Sequence, residues 1–399
     1  MRHGPAACGR ALATLAALAA LGAGGCVTSA STTAARPALP GCTTATAPAA
    51  ALGRSRISMV KVGGSPFGIM AAPGGRWVFV ASPLSGVQVL RTGSRPALAP
   101  ARTIRTGQVL GETLAGGGRY LLAAAGAGAV VINVARAEQG SAGAMAGRLA
   151  GPSGQGAIEV AVSRDGRFAF VSLEYSARVA VFDLQRALAQ GFGPADYVGA
   201  IPVGRAPVGL AVSPDGRWLY ATSEVSATAR PTGPDVPGTL TVISIQRAES
   251  DPARSVVSTV DAGCQPVRVI TSADGRVVWV TARGSDALLG FSAARLRSDP
   301  PHALIARVRV GEAPVGLALV DHGSRIVVAD SNRFGAAGAT SSLTVVNVGP
   351  ALAGKPALAG LLPAGGFPRE MAPEPDGRTL LVTNYVSGQV EVVNVTGLP

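Results

Sequence analysis

Histidine is nearly missing from this 399-residue chain: His3, His302 and His322 are the whole supply. No cluster of imidazoles is on hand to hold copper or catalytic zinc, and no Cys-x-x-Cys-His run exists to attach a c-type haem. Neither a metal nor a cofactor is expected. Lysine is as scarce, since of 35 basic residues only Lys61 and Lys355 are lysine. Aromatic residues make up 4% of the chain and its arginines are scattered, with no basic run. That pattern disfavours the stacking platforms and charged grooves of single-strand nucleic-acid binders. Beyond the N-terminus, no apolar stretch approaches the about 20 residues that span a bilayer.

The first 25 residues read as an export signal. Arg2 and Arg10 precede an uncharged run from Ala11 to Gly24, which is too short to span a membrane and suits a signal-peptide apolar region. The run ends in Leu21-Gly-Ala-Gly-Gly-Cys26, which resembles a bacterial lipobox except that Ala23 stands where such boxes carry a larger aliphatic residue. Cys26 is therefore the expected lipidation site, placing the protein on the outer face of the cytoplasmic membrane or at the cell surface. Ordinary cleavage near Thr28-Ser29-Ala30 would release it as a secreted protein. Residues 26–54 are Ala, Thr, Ser and Pro with little apolar bulk and read as a disordered tether. Residues 55–399 are left for one repeat domain.

Four cysteines are present. Cys8 leaves with the signal and Cys26 takes the lipid. Cys42 and Cys264 remain as an even pair in an oxidising compartment. They either form a disulfide that pins the tether to the domain or stay as two thiols, and sequence alone leaves both open. The formal charge is +12, or +10 once Arg2 and Arg10 are removed. A field of that sign attracts anionic polymers and headgroups, although most of the arginines look like dispersed, solvated charge.

The domain is built on a repeat. A Gly-Arg turn recurs at Arg76, Arg119, Arg167, Arg217, Arg276, Arg325 and Arg378, at intervals of 43, 48, 50, 59, 49 and 53 residues. Around each turn lie short apolar strands rich in Val, Ile and aromatics. Pro-Asp-Gly, as at Pro214–Gly216, presets one backbone angle and supplies a positive-φ position for the hairpin. Several strands per period of this length predict a β-propeller. The fold expected is all-β, with seven blades of four antiparallel strands. A solitary strand at about 57–62 closes the last blade, which otherwise has three strands and an open edge.

Val382-Thr-Asn384, Tyr220-Ala-Thr-Ser223, Trp279-Val-Thr281 and the crossing Val-Gly-x-x-Pro-x-Gly carry a family resemblance. The crossing stands at Val62–Gly68, Val203–Gly209 and Val310–Gly316. Together these segments resemble YVTN-type propellers. That resemblance implies the seven-bladed fold; for function it offers surface-layer-type proteins, YncE-like proteins implicated in nucleic-acid binding, and relatives of seven-bladed lactonases. Lactonase-like propellers display His beside acidic or Arg residues on the inner strands, and the matching positions here lack His.

Candidate site residues follow from the repeat. Aligning the starts of the inner strands gives a column near the channel mouth: Gly68, Gly111, Glu159, Gly209, Arg268, Gly316 and Glu370. Four glycines suit close packing at an axis, and Glu159, Arg268 and Glu370 converge there as an ion-pair plug or a polar ligand site. Glu112 and Arg369 lie one position to either side. Arg283, Asp286, Asp330, Asn384 and Tyr385 belong to the rim expected on the same face. Two long second-to-third-strand loops, Glu224–Pro237 and Asn332–Thr340, belong there too. The Asp-Gly pairs at Asp165, Asp215, Asp274 and Asp376 are read as turns rather than calcium loops, because they lack alternating carboxylates.

The leading functional expectation is a monomeric, non-enzymatic binding or scaffold lipoprotein. It would recognise a protein, glycan or small polar ligand at the channel mouth. The alternatives are a lactonase-like hydrolase using the channel carboxylates and a polyanion or nucleic-acid binder.

Overall fold

In the third, fourth and fifth repeats the turn closes for a local reason. The hydroxyls of Ser163, Ser213 and Ser272 donate to Asp165, Asp215 and Asp274 at 2.6, 2.5 and 2.6 Å. The same carboxylate oxygens accept the backbone N–H of Arg167, Arg217 and Arg276 at 3.0, 3.1 and 3.0 Å. Gly166, Gly216 and Gly275 occupy positive φ in these turns, a region that glycine enters without steric penalty. The Asp oxygens are thus engaged in closing hairpins.

The computed structural model describes residues 37–42, 49–53, 56–93, 98–152, 156–229, 236–333 and 340–399, all within the compact unit Arg36–Pro399. The signal stretch 1–25 and Cys26 lie outside the described residues, as do 230–235 and 334–339 within the two long loops.

The described residues form seven four-stranded antiparallel sheets. This is the seven-bladed β-propeller predicted from the repeat. The inner strands are Ile69–Ala71, Glu112–Ala115, Ala157–Val162, Arg205–Val212, Pro266–Thr271, Pro314–Val320 and Pro368–Pro373. The ring closes as expected: Ile57–Lys61 pairs antiparallel with Gln389–Asn394 as the outer strand of the seventh blade. Buried Val, Ile, Leu and Phe fill the gaps between successive blades in clusters that each bridge neighbouring sheets, as close packing of facing sheets requires.

Two devices hold blade to blade at the axis. The first is the glycine column. A Cβ on Gly68 would meet the Leu110 carbonyl at 2.5 Å and one on Gly111 the Ile158 carbonyl at 2.6 Å; Gly209 and Gly316 face the carbonyls of Val267 and Arg369 still more closely. In each case the collision is with the residue just before the next blade's column position. The second device is a threonine in the motif that carried the family resemblance. Thr222, Thr281 and Thr383 donate from Oγ1 to the carbonyls of Val267, Val315 and Phe67 at 2.7, 2.6 and 2.7 Å. These bonds join blade four to five, five to six, and seven to one.

Two features depart from the sequence reading. Five short helices, Val134–Gln139, Leu184–Gln190, Ile245–Ala248, Ala293–Ser298 and Val348–Leu352, precede the outer strands of blades two to six. The first two are started by side-chain caps: Asn133 accepts from Arg136 N at 3.0 Å and Asp183 from Arg186 N at 2.8 Å. The second departure concerns the stretch expected to be a disordered tether, part of which is docked. Cys42 is bonded to Cys264 across a separation of 222 residues. Ala51 forms a parallel bridge with Leu361 on the outer strand of blade six, and Leu52 N donates to the Leu361 carbonyl at 2.6 Å. That pairing covers an edge that would otherwise be open.

Candidate ligand site in the central channel

The inner strands of all seven blades border one cavity of about 300 Å³. Its floor is charged. Arg268, 5% exposed, donates from Nε to Glu370 at 2.5 Å and also pairs with it through Nη2. Its Nε lies 3.4 Å from Glu159, and its Nη1 donates to the Val208 carbonyl at 2.7 Å. The backbone places these side chains. The N–H groups of Glu159, Arg268 and Glu370 donate to hydroxyls of Ser172, Thr281 and Thr383 on the adjoining strands at 3.0, 3.1 and 3.0 Å. The three residues singled out by the column therefore meet, as one ion-paired group.

Glu112 joins them. It is 5% exposed, and neither carboxylate oxygen has a hydrogen-bond partner among the described residues. Burial first, and then the nearby Glu159, push its carboxyl well above the ordinary carboxylate range; the backbone N–H groups of Ala81 and Met70 oppose this and lose. Glu159 is pushed up to about 8, again mainly by burial, with Arg268 opposing and Glu370 adding to the rise. Burial works against the guanidinium charge of Arg268, but the attraction of Glu370 and Glu159 outweighs it and its pKa is raised.

The walls are apolar. Met70, Val162, Val212, Ile270, Leu317 and Met371 line the cavity between the charged floor and the hairpin turns. Exposure shows which end is open. Met70, Val162, Val212 and Ile270 are half-buried, whereas on the other side of the floor Phe67, Val208, Val267 and Val315 are buried. Val208, Val267 and Val315 pack with Ile158 and Phe367 into an apolar seal. This corrects the location read from the sequence. The charged group lies beneath the mouth that carries the long loops, separated from it by one apolar layer, and the pocket opens toward the Asp-Gly turns. The layer was in reach of the alignment: one position before the column reads Phe67, Leu110, Ile158, Val208, Val267, Val315 and Arg369, apolar in every blade but the last.

Arg369 lies on the far side of that layer. Its guanidinium sits over Phe67 at 4.0 Å, Phe367 at 5.0 Å and Tyr385 at 5.4 Å, a set of cation–π contacts. Burial, with Arg268 adding repulsion, lowers it to about 9. Phe67 is shared, with the Arg268 guanidinium 5.8 Å from the centre of the same ring. Phe67 and Phe367 were not foreseen as site residues. Phe367 holds φ at 60°, unusual for a bulky residue.

The other rim candidates separate. Arg283, buried, donates to Glu224 at 2.9 Å and to Gln265 at 3.3 Å, so it does sit beside the base of the first long loop. Asp286, Asp330 and Asn384 are corrections, because they are fully buried joints of the fold, Asp286 between the fifth and sixth blades and the other two within a blade. Asp286 accepts the Ala313 N–H at 2.8 Å. Asp330 accepts the hydroxyls of Ser342 and Thr344 at 2.8 and 2.6 Å, and burial pushes it up to about 7. Asn384 donates to the buried Glu391 at 3.0 Å. One polar atom of each is engaged in the fold, while Asp286 Oδ2, Asp330 Oδ1 and Asn384 Oδ1 are buried without a hydrogen-bond partner among the described residues.

Among the described residues no group of three or more His, Cys, Asp or Glu side chains is placed to hold a metal ion. No family model matches the chain, and no curated protein matches it. Among solved structures, a chain of Kuenenia stuttgartiensis hydrazine synthase superposes with a TM-score of 0.64 at 17% identity. The match covers 85% of this chain and 98% of that one. Identity that low speaks to the fold alone, which is the propeller already described.

Proposed function

We propose that this protein is an exported, lipid-anchored binding protein, and that the central channel is its ligand site. One observation carries the reading: a single cavity touched by all seven inner strands, with apolar walls and a convergent charged floor. Concave, mostly apolar sites with a few placed polar groups are where small ligands bind. The Leu21–Cys26 stretch supports the anchor, with Cys26 taking the lipid. The charged floor is better suited to holding a ligand than to being one hot spot of a protein interface, because the seal and walls exclude a macromolecule from it.

The reading is tested by a thermal-shift screen of the full chain against small polar metabolites, repeated with Thr113→Trp, which fills the cavity from its wall. A ligand that stabilises the parent and not the filled variant supports the channel; ligands that stabilise both equally overturn it. Cys26→Ala is expected to move the protein from the membrane fraction to the medium.

A hydrolase reading has one specific observation behind it. Glu159, held protonated near neutral pH beside the ion-paired Glu370, has the character of a general acid. Turnover of a panel of lactones and esters that is lost in Glu159→Gln would favour it over binding alone.

A further inference from the structure

The charges on the channel floor do not balance. Arg268 engages Glu370 through both Nε and Nη2, both on the single oxygen Oε1. Glu159 has the longer 3.4 Å contact with the same guanidinium and accepts the Val160 N–H at 3.2 Å. Glu112 has no ion-pair or side-chain partner: it is buried, lines the cavity, and neither oxygen makes a hydrogen bond among the described residues, the nearby backbone N–H groups of Ala81 and Met70 giving only a partial offset to its burial. Such a carboxyl is costly to bury unpaired, and a fold with no use for it would place an apolar residue there.

Two glycines make the arrangement. A Cβ on Gly68 would come within 3.0 Å of Glu112 Cγ, and one on Gly111 within 2.6 Å of Glu159 Oε1. Glu112 and Glu159 are therefore lodged side by side against bare backbone, close enough that Glu159 adds to the rise of the Glu112 carboxyl. The titratable and charged groups that line the cavity are Glu112, Glu159, Glu370 and Arg268. With every acid ionised this set carries an excess of two negative charges. No metal-binding group is formed by these side chains, and above them the walls are methionine, valine, isoleucine and leucine. A volume near 300 Å³ is at the small end of ligand sites.

We propose that the channel pocket is a receptor site for a small organic ammonium ion, its charged head on Glu112 and Glu159 and a short apolar tail along the walls. An ammonium offers three donors and a compact charge, matching Glu112, which has no ion-pair partner, beside Glu159, which is held by a 3.4 Å contact with Arg268 and by the Val160 N–H. The inference rests on the channel being a ligand site and names the class of ligand. The same head group is found on a free alkylamine and on a lysine side chain, and the pocket's depth behind the hairpin turns favours the free molecule.

The test uses the full chain and isothermal calorimetry at pH 8.5, with n-pentylammonium, 1-pentanol, pentanoate, calcium chloride and Nα-acetyl-lysine methylamide as probes. Saturable binding of n-pentylammonium at least tenfold tighter than of the alcohol or the acid is expected, weakened tenfold or more by Glu112→Gln. Tyr385→Ala, on the other side of the apolar seal, should leave it unchanged. Binding of the lysine derivative as tight as the free amine would reassign the source to a protein side chain and overturn the free-amine preference. Equal response to calcium, no saturable amine binding, or full affinity in a folded Glu112→Gln protein would each overturn the proposal. Glu159→Gln is the second variant, should the first fold poorly. If amines fail while a neutral or anionic ligand is lost in Thr113→Trp, the channel remains the site and only the ammonium assignment falls.

Discussion

Glu159→Gln should stabilise this protein, and by an amount that grows with pH. In the folded state Glu159 is pushed from 4.5 to about 8. Between those values the native protein holds a proton that the unfolded chain releases. Stability therefore falls as pH rises, by up to about 1.4 kcal/mol per pH unit from this group. Below pH 4.5 both states are protonated and the group contributes no slope. The accumulated loss is of order 3 kcal/mol at pH 7 and 4–5 kcal/mol at pH 8. A glutamine carries the donor and acceptor of a protonated carboxyl and does not titrate, so the variant lacks that loss. Glu112 shifts in the same direction and keeps part of the wild-type slope in both proteins, which makes the difference between them the quantity to read. Urea denaturation at half-unit steps from pH 4.5 to 8.5 measures it. Curves for the two proteins that run parallel across that range would refute the reasoning, since they would mean Glu159 ionises in the folded protein at an ordinary pH.

Gly316→Ala is expected to cost at least about 3 kcal/mol in urea melts, at the upper end of overpacking, because its Cβ would fall on the Arg369 carbonyl. Gly349→Ala, in open space within a short helix, should be neutral or slightly stabilising and serves as its control. Thr281→Val removes the donor to the Val315 carbonyl and the acceptor for Arg268 N; about 1–3 kcal/mol is expected, with faster exchange of the Arg268 amide visible by hydrogen exchange. Cys42→Ser should lower stability by about 2–5 kcal/mol and free one thiol at Cys264 for alkylation in the native protein. A chain beginning at Val62 lacks the strand paired with Gln389–Asn394; it should associate through that edge, seen as larger species by size-exclusion chromatography with light scattering.

The architecture could be read because its determinants are local. A serine, an aspartate and a glycine within four residues close the third, fourth and fifth turns, and spacing between turns counts the blades. Short helices escaped because each offers a turn or two of pattern and one capping residue, as at Asn133 and Asp183. Asp286, Asp330 and Asn384 were misjudged for a different reason. A polar residue at the end of a strand looks the same in sequence whether it faces solvent or the packed interior, and only the partners Ala313, Ser342, Thr344 and Glu391 decide. The direction of the pocket depended on side chains one position away from the column, where six apolar residues and one arginine form a separate layer.

The charged column itself follows a rule that only the closed ring makes visible. Going round the axis, Glu159 follows Gly111, Arg268 follows Gly209 and Glu370 follows Gly316, so each large side chain has a glycine on its preceding side. Alternation of large and small is how tapering interiors are filled. Seven is odd, however, so the pattern cannot close, and two glycines, Gly68 and Gly111, must stand together. The gap they leave is where the Glu112 side chain lies, with its Cγ against Gly68. A residue outside the column thus enters the floor because the count of blades leaves it room. The same mismatch explains why this carboxyl alone on the channel floor lacks an ion-pair partner: Arg268 reaches Glu370 and Glu159 across the ring, and no second cation lines the cavity on the glycine-paired side.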